Sequence, residues 1–330
     1  MKLATRNNGE RDGLLVVVSR NLQHIADADD IVGTLQQAIE NWDSVSPELN
    51  ERYQALNDNR WPAVQPFDAR KLLAPLPRAW QWLDGSAFLR HGERMQQAFN
   101  LPPIEGAERT PLMYQGSGDD FLAPHDDIPW RNAADGLDFE GEFAVLVDDV
   151  PQGCGAQQAL AHIRLILQLN DISLRAFAPR EMKTGFGFIQ AKPSSSFAPV
   201  AVTPDELGDA WRAGRVHLPL NIERNGVRVG RQEGGEMYFH FGELIAHAAM
   251  TRRLRSGTLV GSGTVAGADT AAGASCIAEM RALEMLAHGE PRTPFLQPGE
   301  WVRMEACTRQ GLPLFGAIEQ QVVKSDKFEE

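Results

Sequence analysis

The sequence predicts an α+β protein in which strands predominate over helices. Beyond residue 70, short runs rich in Val, Leu and Phe are broken by Gly, Pro and Asp, as at residues 143–147, 200–202 and 216–220. Three amphipathic segments in that region have helical spacing, at residues 157–169, 241–254 and 275–288. Because strands and helices do not alternate regularly, a doubly wound parallel sheet is disfavoured.

The N-terminal segment is predicted to form a separate, smaller α/β domain. Residues 14–18 have the composition of a strand, and apolar residues spaced by three and four predict a helix that follows the capping candidate Asp30. Ser46-Pro47 predicts a second helix start. Pro62, Pro66, Pro75 and Pro77 indicate a linker, so we expect domains of residues 1–70 and 71–330. We expect residues 324–330 to be a frayed end.

Charge and cysteine content exclude several classes of protein. The 330-residue chain carries 44 Asp and Glu against 32 Lys and Arg, a net charge of −12. That charge argues against nucleic acid or an anionic membrane surface as the partner, so we expect a small molecule instead. An anionic substrate would then need local cations, either Lys and Arg or a metal. Cys154, Cys276 and Cys307 form no Cys-x-x-Cys pair, and we expect Cys276 to be a buried small hydrophobe.

The apolar segments are too short for membrane insertion or secretion. No apolar stretch approaches the ~20 residues that a membrane span needs. The first apolar run, residues 14–18, is also too short for the core of a signal peptide. We therefore expect a cytoplasmic protein.

Two glutamates in residues 138–147 are the sharpest local pattern. On a strand, Glu140 and Glu142 would point to one face, roughly 7 Å apart. Two carboxylates so placed form half of a site for a hard cation such as Mg²⁺ or Ca²⁺. The alternative is an amphipathic strand that presents both acids to water.

Two more acids occur beside other ionisable residues. Asp171 and Arg175 follow an apolar segment that we interpret as a helix end, where a metal would give Asp171 a partner. The alternative is a turn residue with a solvated Arg. Asp84 lies among aromatic residues, and His91 would fall on the same side if the segment were helical. A lone His is otherwise more often a surface residue.

Three further positions have two interpretations each. Lys192 stands in an apolar context and needs an anionic partner or a substrate, unless its head group snorkels to the surface. Residues 261–266 match a loose dinucleotide pattern, but no helix or later acid supports it. We expect these glycines instead to let the backbone approach a small ligand closely, with Thr264 offering its hydroxyl. Glu279 could orient a His, or could simply be favoured near a helix N-terminus.

In order and spacing, these residues resemble the fumarylacetoacetate hydrolase family from about residue 75 to the end. The matching positions are Asp84 with His91, Tyr114-Gln115-Gly116, Glu140 with Glu142, Asp171 with Arg175, Lys192, residues 263–267, and Glu279. The resemblance implies a mixed β-sandwich roll as the catalytic domain, a smaller N-terminal domain, a homodimer and one Mg²⁺ or Ca²⁺. It also implies hydrolysis of a carbon–carbon bond in a 1,3-dicarbonyl acid, such as the fumarylacetoacetate of aromatic amino acid catabolism or an acylpyruvate.

The resemblance assigns a role to each residue. Asp84, Glu140, Glu142 and Asp171 would ligate the metal ion. His91 and Glu279 would activate a water, and Lys192 would stabilise the departing enolate. Arg175, Tyr114 and Thr264 would bind the substrate.

The same scaffold also carries other activities. Hydratases of 2-hydroxydienoates, isomerases and oxaloacetate decarboxylases use it, and a non-catalytic relative that binds a metal or a small acid is a further alternative. Ser117 stands where the eukaryotic hydrolase has Arg, and Ala178 stands where Gln would help to bind substrate. The identity of the dicarbonyl acid therefore stays open.

Overall fold

The computed structural model describes residues 1–325, whose strands form two large facing sheets and two small two-stranded sheets. The strands are β1 (Lys2–Arg6), β2 (Leu14–Val18), β3 (His24–Asp27), β4 (Gln65–Pro66), β5 (Gln81–Gly85), β6 (Met113–Gly116), β7 (Ile128–Trp130), β8 (Leu137–Asp138), β9 (Gly141–Val147), β10 (Ile163–Asn170), β11 (Ser173–Leu174), β12 (Ser196–Phe197), β13 (Ala201–Val202), β14 (Trp211–Arg212), β15 (Arg215–Val216), β16 (Pro219–Arg224), β17 (Val227–Glu233), β18 (Thr258–Gly261), β19 (Trp301–Ala306) and β20 (Ile318–Lys324). The α-helices are α1 (Leu35–Glu40), α2 (Trp42–Asn57), α3 (Leu89–Phe99), α4 (Ala156–Ala159), α5 (Ala178–Thr184), α6 (Phe241–Ala248) and α7 (Ile277–His288).

The larger sheet runs through both halves of the chain. Its strand order is β4-β3-β2-β1-β13-β10-β9-β18-β5-β6, with β12 beside β10. The second sheet has the order β17-β16-β19-β20-β7. Of the strand pairs in residues 1–325, only β18–β5 and β20–β7 are parallel. This strand-rich α+β architecture confirms the fold class expected from the sequence.

Two apolar cores lie on opposite faces of the larger sheet. Strand β9 contributes to both cores, because successive side chains point to opposite faces of a sheet. Val145 belongs to the core between the two sheets, and its neighbour Leu146 belongs to the core beneath α1 and α2. A strand buried on both faces needs a continuous apolar run rather than an alternating one. Between the sheets, Gln168 donates from Nε2 to the carbonyl of Met304 at 3.0 Å and accepts from the amide of Ala306 at 2.6 Å. This buried side chain therefore joins the two sheets with both of its polar atoms paired.

One predicted helix is wrong. Residues 157–169 were expected to be helical, but only α4 and a 3₁₀ turn precede β10, which begins at Ile163. The apolar residues of β10 are buried on both sheet faces, and such an unbroken apolar run has no periodicity that separates strand from helix. Asp171 therefore follows a strand. The other two predicted helices are α6, which ends at Ala248, and α7, which begins at Ile277.

The N-terminal half also departs from expectation in detail. Strand β2 is confirmed, but the first helix begins at Leu35 behind the cap Thr34, and Pro47 lies inside α2 rather than at a helix start. Strand β4 lies within the predicted linker. Strand β1 pairs with β13, so the N-terminal strands extend the larger sheet. The boundary at residue 70 stays a prediction.

The last element of the described residues is a strand. Strand β20 extends through Lys324, so the predicted fraying is wrong there, and residues 326–330 lie outside the described residues. Among residues 1–325, every helix is too short or too polar to cross a bilayer.

Candidate active site

Four acidic side chains meet beneath one end of the larger sheet. Asp84, Glu140, Glu142 and Asp171 each offer a carboxylate oxygen, and these oxygens all lie within 4.8 Å of one another. All four side chains are buried. We call this group the carboxylate cluster. It brings together residues more than 80 positions apart in the chain.

Neighbouring strands create the carboxylate cluster. Asp84 lies on β5 and Glu142 on β9, with β18 between these two strands, while Asp171 directly follows β10 on the other side of β9. Glu140 precedes β9, and its carbonyl accepts the amide of Asp171 at 2.9 Å. The sequence interpretation that placed Asp84 on a helix with His91 is wrong, because Asp84 belongs to a strand and His91 to α3. Residues 86–88 connect β5 to α3.

The electrostatics of the carboxylate cluster fit a hard cation. Glu142 is fully buried, and neither of its carboxylate oxygens has a hydrogen-bond donor among the described residues. Burial, and then the charge of Asp84, raise the pKa of Glu142 well above its ordinary value. Burial and Asp171 do the same to the pKa of Asp84. An unpaired buried carboxylate is expensive, and a divalent cation with oxygen ligands would remove that cost.

A buried lysine borders the carboxylate cluster. Lys192 donates from Nζ to Glu140 Oε2 at 2.8 Å and to Asp171 Oδ2 at 2.6 Å. Burial lowers the pKa of Lys192, but the charges of Asp171 and Glu140 outweigh burial and raise the pKa overall. Lys192 is therefore a fixed cation at the edge of the cluster, with its side chain only 10% exposed.

Hydroxyl groups complete the contacts of Asp171. Tyr114, on β6, donates to Asp171 Oδ2 at 2.7 Å, and Ser195 donates to Asp171 Oδ1 at 2.7 Å. Sequence reasoning missed Ser195, which carries no local signal because it lies in a run of three serines. These donors orient Asp171, so the Tyr114 hydroxyl is already engaged before any ligand enters.

A histidine and a glutamate form a pair beside the carboxylate cluster. His91 Nδ1 lies 2.6 Å from Glu279 Oε2, where α3 approaches α7. Burial raises the pKa of Glu279, while the hydrogen bonds from His91 and Arg94 lower it to below its ordinary value overall. Glu279 lies fully buried in the first turn of α7, so its position fits both sequence interpretations, a residue favoured by the helix dipole and a partner for a His. With Nδ1 engaged, His91 keeps Nε2 for other chemistry.

Arg94 is a site residue that sequence reasoning missed. It lies three residues after His91, one turn further along α3, and forms an ion pair with Glu279 Oε1. Its other terminal nitrogen donates to the carbonyl of Gly267. The spacing of three from His91 could have indicated it, because residues three apart share a helix face.

Arg175 contacts two carboxylates of the protein. Its Nε donates to Asp138 Oδ2 at 2.8 Å, and its Nη2 lies 2.6 Å from Glu140 Oε1. Asp138, which sequence reasoning missed as a site residue, also accepts the amides of Ile277 and Ala278 at the start of α7. The expected contact between Arg175 and a substrate carboxylate stays a prediction.

The glycine loop after β18 comes very close to the carboxylate cluster. Gly263 donates its amide to Asp84 Oδ1 at 3.0 Å. Its φ is +76°, and a Cβ there would lie 2.3 Å from the carbonyl oxygen of Gly85, so only glycine fits. Thr264 follows and is 6% exposed. No α-helix opens in residues 262–276, which agrees with rejecting a nucleotide-binding loop.

Solved structures of other proteins share this fold. Fumarylacetoacetate hydrolase from psychrophilic Exiguobacterium antarcticum is 19% identical over 98% of this chain and 100% of its own, with a TM-score of 0.67. Maleylpyruvate hydrolase from Sphingobium sp. SYK-6, in complex with manganese(II) and pyruvate, is 16% identical over 99% of this chain and 100% of its own, with a TM-score of 0.65. The 5-carboxymethyl-2-hydroxymuconate delta-isomerase from Mycobacterium smegmatis is 17% identical over 80% and 84%, with a TM-score of 0.54. At these identities the similarity shows the fold alone.

Family models extend the comparison to sequence. No curated protein sequence matches the chain. The family model described as fumarylacetoacetase N-terminal domain 2 matches residues 1–78. The model described as fumarylacetoacetate (FAA) hydrolase C-terminal matches residues 81–323, which include all ten site residues expected from the sequence. The chain thus belongs to the fumarylacetoacetate hydrolase family.

Proposed function

We propose that this protein is a metal-dependent hydrolase that cleaves a carbon–carbon bond in a 1,3-dicarbonyl acid such as fumarylacetoacetate or an acylpyruvate. The observation that carries the proposal is the His91–Glu279 pair beside the carboxylate cluster. Hydrolysis needs a base that makes a nucleophile of water, whereas decarboxylation and isomerisation do not.

The metal ligands are proposed to be Asp84, Glu140, Glu142 and Asp171. Their buried oxygens suit Mg²⁺ or Ca²⁺, which take carboxylate ligands. The Sphingobium maleylpyruvate hydrolase, whose structure has the same fold, was solved with manganese(II), an ion that also prefers oxygen ligands. When bound, the cation would polarise the oxygens of the dicarbonyl substrate and hold developing negative charge.

The chain's own residues would move the proton. His91 Nε2 accepts a proton from a water as that water adds to the substrate carbonyl, and Glu279 stabilises the imidazolium through Nδ1. The carbon–carbon bond then breaks, and its electron pair leaves on the enolate. Lys192, a fixed cation, stabilises that charge, and His91 returns the proton to the enolate carbon. The products are a carboxylic acid and a ketone.

Three residues are proposed to bind the substrate. Tyr114, on β6, contacts the carboxylate cluster through Asp171, and its hydroxyl would have to exchange that bond for one to a ligand oxygen. Thr264 follows Gly263, whose amide contacts Asp84, and its hydroxyl is proposed to donate to a ligand oxygen. Arg175 adds positive charge beside Glu140, which favours an anionic keto acid in the site.

An assay in ¹⁸O-labelled water tests the proposal. The metal-loaded protein is offered acylpyruvates, fumarylacetoacetate, oxaloacetate and 2-hydroxydienoates, with Mg²⁺ or with EDTA, and loss of substrate absorbance is followed. We expect metal-dependent cleavage of a dicarbonyl acid with the label in the carboxylic acid product. Turnover of oxaloacetate or a dienoate without cleavage of any dicarbonyl acid would replace hydrolysis with decarboxylation, hydration or isomerisation. No turnover, with metal binding intact, would favour a non-catalytic relative.

We also propose, from the family resemblance, that the protein is a cytoplasmic homodimer with a domain boundary at residue 70. Sedimentation velocity measures the oligomeric state directly. Limited proteolysis would cut near residue 70 if that segment is an exposed linker.

A further inference from the structure

Cys276 lies next to the His91–Glu279 pair and has no part in the proposed reaction. It is fully buried and caps the start of α7, where its Sγ accepts the amide of Glu279 at 3.3 Å. The backbone of Cys276 also forms a β-bridge with Glu140. The thiol is therefore held between the carboxylate cluster and the His91–Glu279 pair.

The three side chains form a compact set of potential metal ligands. One ligand atom each of His91, Cys276 and Glu279 lie within 4.8 Å of one another. Imidazole, thiolate and carboxylate are the ligands of Zn²⁺, which binds three protein groups and leaves a fourth position open in many sites. The carboxylate cluster contains only oxygen ligands and suits harder ions. The two groups therefore differ in the ion that they prefer.

Contacts around these side chains resemble those that support bound metals. The Glu279 amide already donates to Cys276 Sγ, which is the kind of bond that stabilises a metal thiolate. Arg94 pairs with Glu279 Oε1 and leaves Oε2 facing His91. Metal-ligating carboxylates usually have their second oxygen held in this way.

We propose that His91, Cys276 and Glu279 form a second metal site, selective for Zn²⁺ over Mg²⁺, whose occupation inhibits the enzyme. The binding stands without the proposed function, and only the inhibition rests on it.

Binding of Zn²⁺ displaces protons from two of its ligands. Zn²⁺ binds cysteine as the thiolate, so the thiol proton of Cys276 leaves to solvent when the ion binds. Because a carboxylate only accepts hydrogen bonds, His91 donates to Glu279 from Nδ1, and coordination of Zn²⁺ through Nδ1 moves that proton to Nε2. Net release is one proton. The lone pair on Nε2 that would accept a proton from water is then lost, and this loss is the cause of inhibition.

The charges around Cys276 allow a cation to enter. Glu279, Asp138 and Glu140 act on the thiol with negative charge, while Arg175 and, through Glu279, Arg94 supply positive charge. Acids outnumber cations among these neighbours, so a divalent ion is not repelled overall.

Cobalt(II), a spectroscopic substitute for zinc, tests the site without an activity assay. The protein is first saturated with Mg²⁺ and then titrated with Co²⁺, and the spectrum is recorded. We expect a thiolate-to-cobalt charge-transfer band in the near ultraviolet, which oxygen ligands alone do not produce. The band should be lost in Cys276→Ser, whose hydroxyl can still cap α7, and kept in the matched controls Cys307→Ser and Cys154→Ser. Absence of the band in the unaltered protein, or its survival in Cys276→Ser, would overturn the proposal.

Two further measurements keep the site testable. If Cys276→Ser fails to fold, zinc-edge X-ray absorption of the unaltered protein tests the site instead. One sulfur ligand on the bound zinc would support the proposal, and a shell of nitrogen and oxygen ligands alone would overturn it. Competition against a zinc dye should show that Cys276→Ser weakens Zn²⁺ binding by at least the roughly 10–100-fold typical of a lost supporting contact.

Inhibition by Zn²⁺ is measured separately from Zn²⁺ binding. In excess Mg²⁺, Zn²⁺ should inhibit hydrolysis by the unaltered protein, with the inhibiting concentration at least ~10-fold higher for Cys276→Ser. Equal sensitivity of the two proteins would overturn inhibition through this site. A cobalt band in a protein that hydrolyses no substrate would refute the proposed function while leaving the metal site in place.

Discussion

Arg175 donates from Nε to Asp138 Oδ2 at 2.8 Å, and Asp138 in turn accepts the amides of Ile277 and Ala278 at the start of α7. Because α7 carries Glu279 and Arg175 also contacts Glu140, one buried carboxylate connects the two halves of the site. Asp138 thus positions the His91–Glu279 pair relative to the carboxylate cluster.

Asp138→Asn should destabilise the protein by about 1.5–3 kcal/mol, the range for hydrogen bonds to a charged group. The substitution removes the charge that Arg175 and the start of α7 both use. Urea unfolding with Mg²⁺ present measures the loss. Asp58→Asn is the control, because Asp58 and its partner Arg60 are both more than half exposed and such pairs are worth about 1 kcal/mol or less. Equal losses from both substitutions would refute the positioning role of Asp138.

Glu142→Gln should have two opposite effects on stability, one from removing an unpaired buried carboxylate and one from removing a metal ligand. The neutral amide should stabilise the metal-free protein, since Glu142 has no donor for either oxygen. In the unaltered protein, Mg²⁺ at roughly 100 times its Kd should add about 2.7 kcal/mol to the free energy of unfolding, and Glu142→Gln should lose most of that gain. Denaturation in Mg²⁺ and in EDTA measures both effects. Glu48→Gln, on an exposed face of α2, should change neither.

The metal-free protein should become less stable as the pH rises from about 5 to 8. Folding raises the pKa of Asp84 and of Glu142, so the folded state binds more protons than the unfolded state above their ordinary values of 3.8 and 4.5. The free energy of unfolding then falls with rising pH until the folded pKa values are passed. Glu140 and Glu279, with lowered pKa values, act in the opposite sense but below this range.

Unfolding in EDTA at a series of pH values measures this slope. Mg²⁺ should flatten it, because a bound cation offsets the charges of the carboxylate cluster. Glu142→Gln should reduce the slope in EDTA, since one of the two raised groups is gone. A slope that the substitution leaves unchanged would contradict this origin.

His91→Ala should reduce hydrolysis of an acylpyruvate by roughly 10²–10⁴-fold, the usual contribution of general-base catalysis. Stabilisation by Mg²⁺ should persist, because His91 lies outside the four carboxylates. Steady-state kinetics and Mg²⁺-dependent unfolding measure the two properties on one sample. His288→Ala, on an exposed part of α7, is the matched control and should retain full turnover. If His91→Ala kept full activity, decarboxylation or isomerisation would become the better interpretation.

Several features followed from local physics and were predictable. Glu140 and Glu142 share a face because side chains alternate along a strand, whatever the rest of the fold does. Gly263 has the positive φ and the close backbone packing, against Gly85, that a glycine-rich run favours, while its approach to a ligand stays a prediction. The apolar run of β2 predicted a strand with the correct bounds.

The family resemblance added what local physics could not. It grouped Asp84, Asp171 and Lys192 with the two glutamates, although nothing in their separate neighbourhoods joins them. The structure places all five side chains in one buried group.

The sequence by itself determined the residue types of the site, the spacing of the glutamates, the charge of the chain and the predominance of strands. Tertiary structure alone decided which groups are paired: Arg94 with Glu279, 185 residues apart, and Asp138 with the start of α7, 139 residues away. It also decided that residues 163–170 form a strand, since an unbroken apolar run suits either a buried strand or a buried helix until its neighbours are in place. The physical reason is common to these cases. Local spacing sets which side chains share a face, but burial and the partners that satisfy a buried charge depend on segments distant in the chain.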